Sequence, residues 1–241
     1  MPGEWKRLTG GLLRAVYPGR CPVCDGIVRE WGEKICAECL PELKLLTPPW
    51  CMRCGRKVQE GEEYCRECGE KGHSFDRGRA LYEYDSAAGA IYRFKYAGRR
   101  EYADFFAEQM EEYLGEFIRS IRPDGLVPIP LHRARQVSRG YNQAALLAER
   151  LGSRMKIPVY SGMLIRARKT VPQKKLNAPE RQNNLKKAFI MGRNDVKLKT
   201  IVVIDDIFTT GATIDEAART LRDAGAEKVC FVTLACGAGA R

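Results

Sequence analysis

The sequence lacks a long hydrophobic run and a secretory signal. No stretch of about 18 consecutive apolar residues, the length that spans a bilayer as a helix, occurs in the chain. Residues 1–20 include Lys6 and Arg7 but no apolar core and no small-residue cleavage site, so we expect no signal peptide. The sequence therefore predicts a protein that does not insert into a membrane and that works in the cytoplasm, where cysteines remain thiols or bind metals.

The composition also lacks the bias of a disordered chain, because 44% of the 241 residues are hydrophobic and 29% are charged. This length accommodates one or two domains with a buried core. The net charge of +11 is unevenly distributed, since residues 122–199 contain 18 basic and 4 acidic side chains. Such a block attracts phosphate groups of a small molecule or a nucleic acid, and a solvated basic surface is the alternative.

Eight of the ten cysteines lie before residue 70. They form four Cys-x-x-Cys pairs, namely Cys21/Cys24, Cys36/Cys39, Cys51/Cys54 and Cys65/Cys68. Two successive pairs complete a tetrahedral zinc site, so we predict two structural Zn²⁺ sites in an N-terminal domain of residues 1–75. The first site takes the four cysteines up to Cys39, and the second takes the four from Cys51. The spacing leaves interleaved pairing open, and disulfides are the alternative that a reducing cytoplasm disfavours.

From residue 76 the pattern changes to alternating strands and helices. It predicts strands at 80–84, 126–130, 200–204 and 228–235, and helices at 87–96, 101–119, 142–155 and 212–224. We place Tyr113 and Ala145 on the apolar faces of the second and third helices, and Cys230 and Cys236 in the core. This order implies an α/β domain of residues 76–241 with a parallel sheet, whose ligands bind at the carboxyl ends of strands.

One such strand end carries the segment Ile-Asp-Asp-Ile-Phe-Thr-Thr-Gly-Ala-Thr, residues 204–213. Asp205 and Asp206 are placed at the end of the strand, where they can accept hydrogen bonds from a ribose diol or hold a divalent ion. Residues 209–213 then open a helix, whose free amides and dipole suit a monophosphate. The segment lacks the lysine of a Walker loop, which disfavours nucleoside triphosphates. An acidic strand end followed by a threonine-rich helix cap is the structural alternative.

Residues 203–213 resemble the phosphoribosyl-pyrophosphate motif of type I phosphoribosyltransferases, a hydrophobic strand with two acids and Thr-Gly-x-Thr. Further segments resemble the ComF family of competence-associated proteins, namely residues 94–98, 127–133, 139–143, 168–173 and 181–184. This resemblance implies the fold class: an α/β, type I phosphoribosyltransferase-like parallel sheet domain preceded by a small, cysteine-rich double zinc ribbon.

The resemblance also implies roles for individual residues. Asp205 and Asp206 would contact the ribose hydroxyls, and residues 209–213 would hold the 5′-phosphate. Residues 131–133 stand in the place of the pyrophosphate loop, although His132 and Arg133 depart from the small residues usual there. Residues 166–182 stand in the place of a mobile catalytic flap.

Displacement of pyrophosphate from ribose C1 builds positive charge on the sugar and negative charge on the leaving group. It therefore needs positioning and charge stabilisation by Mg²⁺ and basic side chains more than proton transfer. The candidate catalytic residues are Asp205, Asp206, Arg168, Lys169 and Gln173. The candidate substrate-binding residues are Leu131, His132, Arg133, Arg139, Arg181, Thr209, Thr210, Gly211, Ala212 and Thr213.

Five aromatic residues could stack on an acceptor base or fill the core, and we assign most of them to the core. They are Tyr82, Tyr84, Tyr92, Phe94 and Tyr96.

Three functions are compatible with these residues. The first is a protein that binds phosphoribosyl pyrophosphate or a nucleotide and handles single-stranded DNA during natural competence, with competence-machinery proteins as further candidate partners. The second is an active phosphoribosyltransferase of nucleotide metabolism, which transfers ribose 5-phosphate to a base or amine. The third is a ligand-sensing regulator without turnover.

Overall fold

The computed structural model describes residues 19–30, 32–167, 188–192 and 197–237. A four-stranded parallel sheet has the order β1-β6-β5-β2. Its strands are β1 (Gly78–Glu83), β2 (Gly125–Pro128), β5 (Thr200–Phe208) and β6 (Lys228–Cys236). A separate antiparallel pair joins β3 (Leu164–Arg166) to β4 (Phe189–Met191). The predicted parallel sheet is confirmed, whereas the antiparallel pair was not predicted.

The helices are α1 (Arg66–Glu70), α2 (Tyr84–Tyr96), α3 (Tyr102–Ile121), α4 (Arg133–Arg139), α5 (Gln143–Met155) and α6 (Ala212–Asp223). Helices α2, α3 and α5 pack in the core on one face of the parallel sheet, and α6 packs in the core on the other. Alternate residues of β5 divide between two cores, because Val202 packs with α3 and α5 while Val203 packs with α6. Such burial on both faces explains why the strand is a continuous apolar run.

Four of these helices match the sequence-based expectations, with two corrections on their faces. Tyr113 of α3 is 50% exposed and does not belong to the apolar stripe. Ala144 of α5 is fully buried and Ala145 only partly, because the face that packs into the core carries Ala144 together with Leu147, Ala148 and Leu151. The short helix α4, capped by His132, was not predicted.

Strand β5 extends beyond the expected end at residue 204. It continues through Asp205 and Asp206 to Phe208, because β6 offers a parallel partner as far as Cys236. Both acids therefore lie within the last part of a strand, and the connection to α6 is only three residues long, 209–211.

The cysteine-rich segment packs against the α/β part at two places. Cys21 and Cys39 belong to the core that contains α3 and α5, whereas Cys51 and Cys68 belong to the core that contains α6. Between them, the Leu46 amide donates to the Leu81 carbonyl of β1 at 2.9 Å. The metal-binding segment is thus part of both cores. Within the described residues, no helix combines the length and apolar character that crossing a membrane requires.

Candidate functional site

A cleft of about 700 Å³ opens at the carboxyl end of β5. It is bounded by the end of α2, by the start of α5, by α4 and by the turn between β5 and α6. Six of the predicted site residues line it, namely Leu131, Arg139, Asp205, Asp206, Thr209 and Thr213. The topology therefore brings the acidic pair and both threonines to the carboxyl end of the parallel sheet, where ligands bind in such folds.

Asp206 is clamped between two side chains from different helices. Lys95 of α2 places Nζ 2.8 Å from Oδ1, and Gln143 of α5 donates its amide hydrogen to Oδ2. Arg139 of α4 in turn donates to Oε1 of Gln143. Asp206 is only 5% exposed. These hydrogen bonds therefore hold its carboxylate in one orientation.

Asp205 has a different electrostatic environment from its neighbour. Burial first, and the nearby charge of Asp206 second, raise the pKa of Asp205 to about 7. Its Oδ1 accepts a hydrogen bond from the Asp206 amide at 2.9 Å. Two positively charged side chains, Arg135 and Arg166, also line the cleft. Burial, and then the like charge of Arg135, lower the pKa of Arg166. The cleft thus holds an acidic pair and basic groups within one cavity.

Replacing Asp205 by asparagine is expected to stabilise the free protein at high pH when no divalent cation is present. The folded state retains a proton up to about pH 7, whereas an unfolded aspartate loses it near 3.8. The wild type therefore loses stability as the pH rises between these values, and the variant does not. The gain should approach about 4 kcal/mol as an upper limit above the folded pKa. Urea unfolding at about pH 4 and about pH 8 measures it, and an equal gain at both pH values would contradict this assignment.

The turn from β5 leads directly into the N-terminus of α6. Gly211 is the N-cap of α6 with φ of +76°, and a Cβ there would lie 3.1 Å from the Phe208 ring. Glycine is therefore required by both the backbone conformation and the close packing. Beyond it, the first amides of the 12-residue helix α6 point towards the cleft end of the sheet.

The second cysteine-rich unit supports this turn directly. Arg56 donates to the Thr209 carbonyl and also binds Glu67 Oε2 at 2.8 Å. Downstream, His73 Nδ1 lies 2.7 Å from Asp215 Oδ2, and the Ser74 amide donates to Asp215 Oδ1 at 2.8 Å. The position of the candidate phosphate loop thus depends on contacts from residues more than 140 positions earlier in the chain.

The remaining predicted site residues are placed outside the cleft lining or outside the described residues. His132 accepts a hydrogen bond from the Ala134 amide at 3.3 Å and so caps α4, while Arg133 is exposed. Thr210, Gly211 and Ala212 form the turn and the helix start without lining the cavity. Arg168, Lys169, Gln173 and Arg181 lie outside the described residues.

Several cleft residues were not singled out from the sequence. They are Lys95, Ser138, Arg135, Gln143 and Arg166. Lys95 and Gln143 lie within segments 94–98 and 139–143, which resemble the family. The resemblance could therefore have indicated that these two residues belong to the site.

The eight early cysteines form two groups of four in sequential pairs. Cys21, Cys24, Cys36 and Cys39 make one group and Cys51, Cys54, Cys65 and Cys68 the other, with all Sγ atoms of a group within 4.8 Å of one another. The Sγ–Sγ distances of 3.9 Å for Cys24/Cys36 and 3.7 Å for Cys54/Cys65 match the edge of about 3.8 Å in a tetrahedral zinc–thiolate site. Both groups therefore fit structural Zn²⁺, and interleaved pairing is excluded. Cys230 and Cys236 are buried, as predicted.

Comparison with known proteins identifies both parts of the chain. Residues 12–69 match the double zinc ribbon domain, and residues 139–241 match the phosphoribosyl transferase domain. Competence protein ComFC of Bacillus subtilis is 32% identical over 203 residues, covering 80% of each chain. Competence protein F of Haemophilus influenzae is 29% identical over 216 residues, covering 87% of this chain and 93% of the relative. DNA utilization protein YhgH of Escherichia coli is 29% identical over 221 residues, covering 88% of this chain and 94% of the relative.

Proposed function

The chain belongs to the ComF family, and from that premise we propose that it binds phosphoribosyl pyrophosphate in the cleft at the end of β5 and handles single-stranded DNA during DNA uptake. The observation that carries the proposal is the clamped carboxylate of Asp206. Lys95 and Gln143 hold it beside Asp205 at the end of a parallel strand, directly before the turn into α6. A fixed pair of carboxylates is suited to bind a vicinal diol, since carboxylate oxygens accept hydrogen bonds from hydroxyl groups.

The parts of the donor would occupy different walls of the cleft. The ribose hydroxyls lie against Asp205 and Asp206, and the 5′-phosphate lies at the turn 209–213 and the start of α6. The pyrophosphate lies towards Leu131, Arg135 and Arg166, because these also line the cleft and two of them carry guanidinium groups suited to a polyanion. The predicted roles of Arg168, Lys169, Gln173 and Arg181 on the same polyanion remain part of this proposal.

Mg²⁺ fits this arrangement as a companion of the donor. The Asp206 oxygens already have Lys95 and Gln143 as partners, whereas Asp205 has one oxygen engaged by the Asp206 amide. Asp205, donor phosphates and water would hold the ion, in keeping with its preference for few protein carboxylates. When bound, it would neutralise charge on the leaving pyrophosphate. The protein's own contribution is to orient the sugar and to surround the pyrophosphate with positive charge.

Two observations support the DNA-handling part. The relatives named above include two competence proteins and a DNA utilization protein. The excess of positive charge falls in residues 122–199, which include α4 and its exposed Arg133. We place this activity in the cytoplasm, since all ten cysteines are free of disulfides and a reducing compartment favours thiolates for zinc.

Calorimetry with phosphoribosyl pyrophosphate and Mg²⁺ tests the donor site, and a single saturable binding event is expected. No heat at millimolar donor would contradict the proposal. In a separate titration, the affinity for a single-stranded oligonucleotide should fall with salt, with a log–log slope of about −0.7 for each phosphate contacted. Absence of binding at low salt would remove the DNA part. Release of pyrophosphate with one of a panel of bases would instead favour the active-transferase alternative.

A further inference from the structure

Two tyrosines of α2 form an exposed aromatic pair. The ring centroids of Tyr92 and Tyr96 lie 5.0 Å apart at an interplanar angle of 47°. Although they contact each other, Tyr92 is 58% exposed and Tyr96 is 59% exposed. Their positions one helical turn apart present both rings on one side of α2. The pair therefore offers aromatic faces to solvent rather than to the core.

The pair adjoins the cleft. Tyr96 lines the cavity, and Tyr92, which is outside the lining, lies one helical turn before it in α2. Between them in sequence, Lys95 binds Asp206 at 2.8 Å and so fixes this turn of α2 relative to the acidic pair. The Arg139 guanidinium lies 4.8 Å from the centroid of the Tyr96 ring. The cation thus lies on one member of the pair, and a partly exposed aromatic pair beside a guanidinium is an arrangement on which nucleic-acid bases stack.

The surroundings of the pair favour nucleobases over an apolar protein surface. Arg135 and Arg139 of α4 line the same cleft as Tyr96, and Arg100, which follows α2, donates to the carbonyl of Gly140, the residue after α4, at 2.9 Å. Proteins that bind single strands combine stacked aromatic rings with basic groups that follow the phosphates. Bases have a π-face whatever their sequence, so such a surface needs no base-specific hydrogen bonds.

We propose that Tyr92 and Tyr96 form a stacking platform for the bases of single-stranded DNA at the mouth of the cleft. This inference rests on the DNA-handling part of the proposed function and adds the surface that carries it. Each ring stacks on one base, and the guanidinium groups of α4 lie within reach of the adjoining phosphates.

The test measures fluorescence anisotropy of a labelled thymidine strand of about 20 nucleotides, beside an abasic strand of equal length. Tyr92→Ala and Tyr96→Ala are each expected to weaken binding of the thymidine strand by about 5- to 100-fold. Tyr92→Phe should retain wild-type affinity, since the ring is what stacks. The abasic strand should bind the wild type and both alanine variants equally. Tyr113→Ala removes a ring of similar exposure from α3 and serves as the matched control, with no expected change.

The outcomes separate this inference from the function on which it rests. If the thymidine strand binds the wild type and the alanine variants equally, the platform is wrong and DNA handling stands. Equal binding of thymidine and abasic strands by the wild type would also overturn the platform. No binding of either strand would overturn both. Tyr92→Ala should keep its affinity for phosphoribosyl pyrophosphate, because Tyr92 lies outside the cleft lining; a parallel loss of that affinity would point to a damaged α2 and contradict a direct role in stacking.

Discussion

Replacing Asp206 by asparagine is expected to weaken binding of phosphoribosyl pyrophosphate by at least about 100-fold. The carboxylate accepts from Lys95 and Gln143 at the same time, so it is already oriented before the sugar arrives. Asparagine keeps the shape but presents an amide group to one of these donors, which repels the donor and reorients the side chain. The ribose then loses both a charged acceptor and its fixed geometry. Calorimetry in the presence of Mg²⁺ measures the loss.

Asp223→Asn is the matched control for this substitution. Asp223 ends α6, its side chain is 69% exposed, and it lies outside the lining of the donor cleft. Its replacement should leave donor affinity unchanged. Because Lys95 loses its partner in Asp206→Asn, thermal unfolding must be recorded for each variant, and the titration run well below both melting temperatures. A folded Asp206→Asn protein with donor affinity within threefold of wild type would refute the assigned role.

Local patterns in the sequence predicted most of the α/β fold. The β-branched run 200–204 is recognisable because β5 is buried on both faces, and the helical periodicity of α3 and α5 reflects burial on one face. The end of β5 was misplaced for a physical reason. In the sequence, two adjacent acidic residues indicate that a strand has ended. In the structure, pairing with the parallel strand β6 keeps the backbone extended to Phe208. A single sequence does not show which strand will be the partner.

The candidate site could be predicted where its residues are neighbours in the sequence. Asp205, Asp206 and the turn that follows form one motif, so their clustering follows from local structure alone. The Lys95–Asp206 and Arg56–Thr209 contacts join residues more than 100 positions apart, and no spacing rule relates them. Their basic side chains are indistinguishable, in sequence, from solvated surface charges.

The five aromatic residues near the cleft divide between two environments. Tyr82 and Phe94 are buried in the core, which is fewer than the expectation that most of the five fill it. Tyr84 lines the cleft, and the exposed Tyr92 and Tyr96 lie at its mouth. All five look alike as aromatic side chains, and for the four that lie in α2 the rotation of the helix against the sheet decides which of them meet solvent.

Loss of the second zinc site is expected to have the largest effect on stability and also to impair the donor site. Cys51 and Cys68 lie in the same core as Phe75 and Phe208, so this site is packed against the α/β part. Structural zinc contributes about 10–16 kcal/mol in small zinc-binding peptides, which exceeds or equals the whole stability of a typical domain. Cys65→Ser should therefore lower the melting temperature by at least about 10 °C and reduce the zinc content from two ions to one.

The same substitution should weaken donor binding more than loss of the first zinc site does. Arg56, within the second site's loop, donates to the Thr209 carbonyl. The first ribbon instead contacts α2 through Arg93, which donates to the Val23 carbonyl, and α3 through the Tyr102 hydroxyl, which donates to Asp25. Cys24→Ser, which removes a ligand of the first site, is thus the matched comparison. Arg56→Ala should keep both zinc ions and still lower donor affinity by about 5- to 20-fold, since a charged hydrogen bond to the turn is lost. If Arg56→Ala and Cys65→Ser both bind the donor like the wild type, the ribbon does not position the turn, and its role is confined to stability.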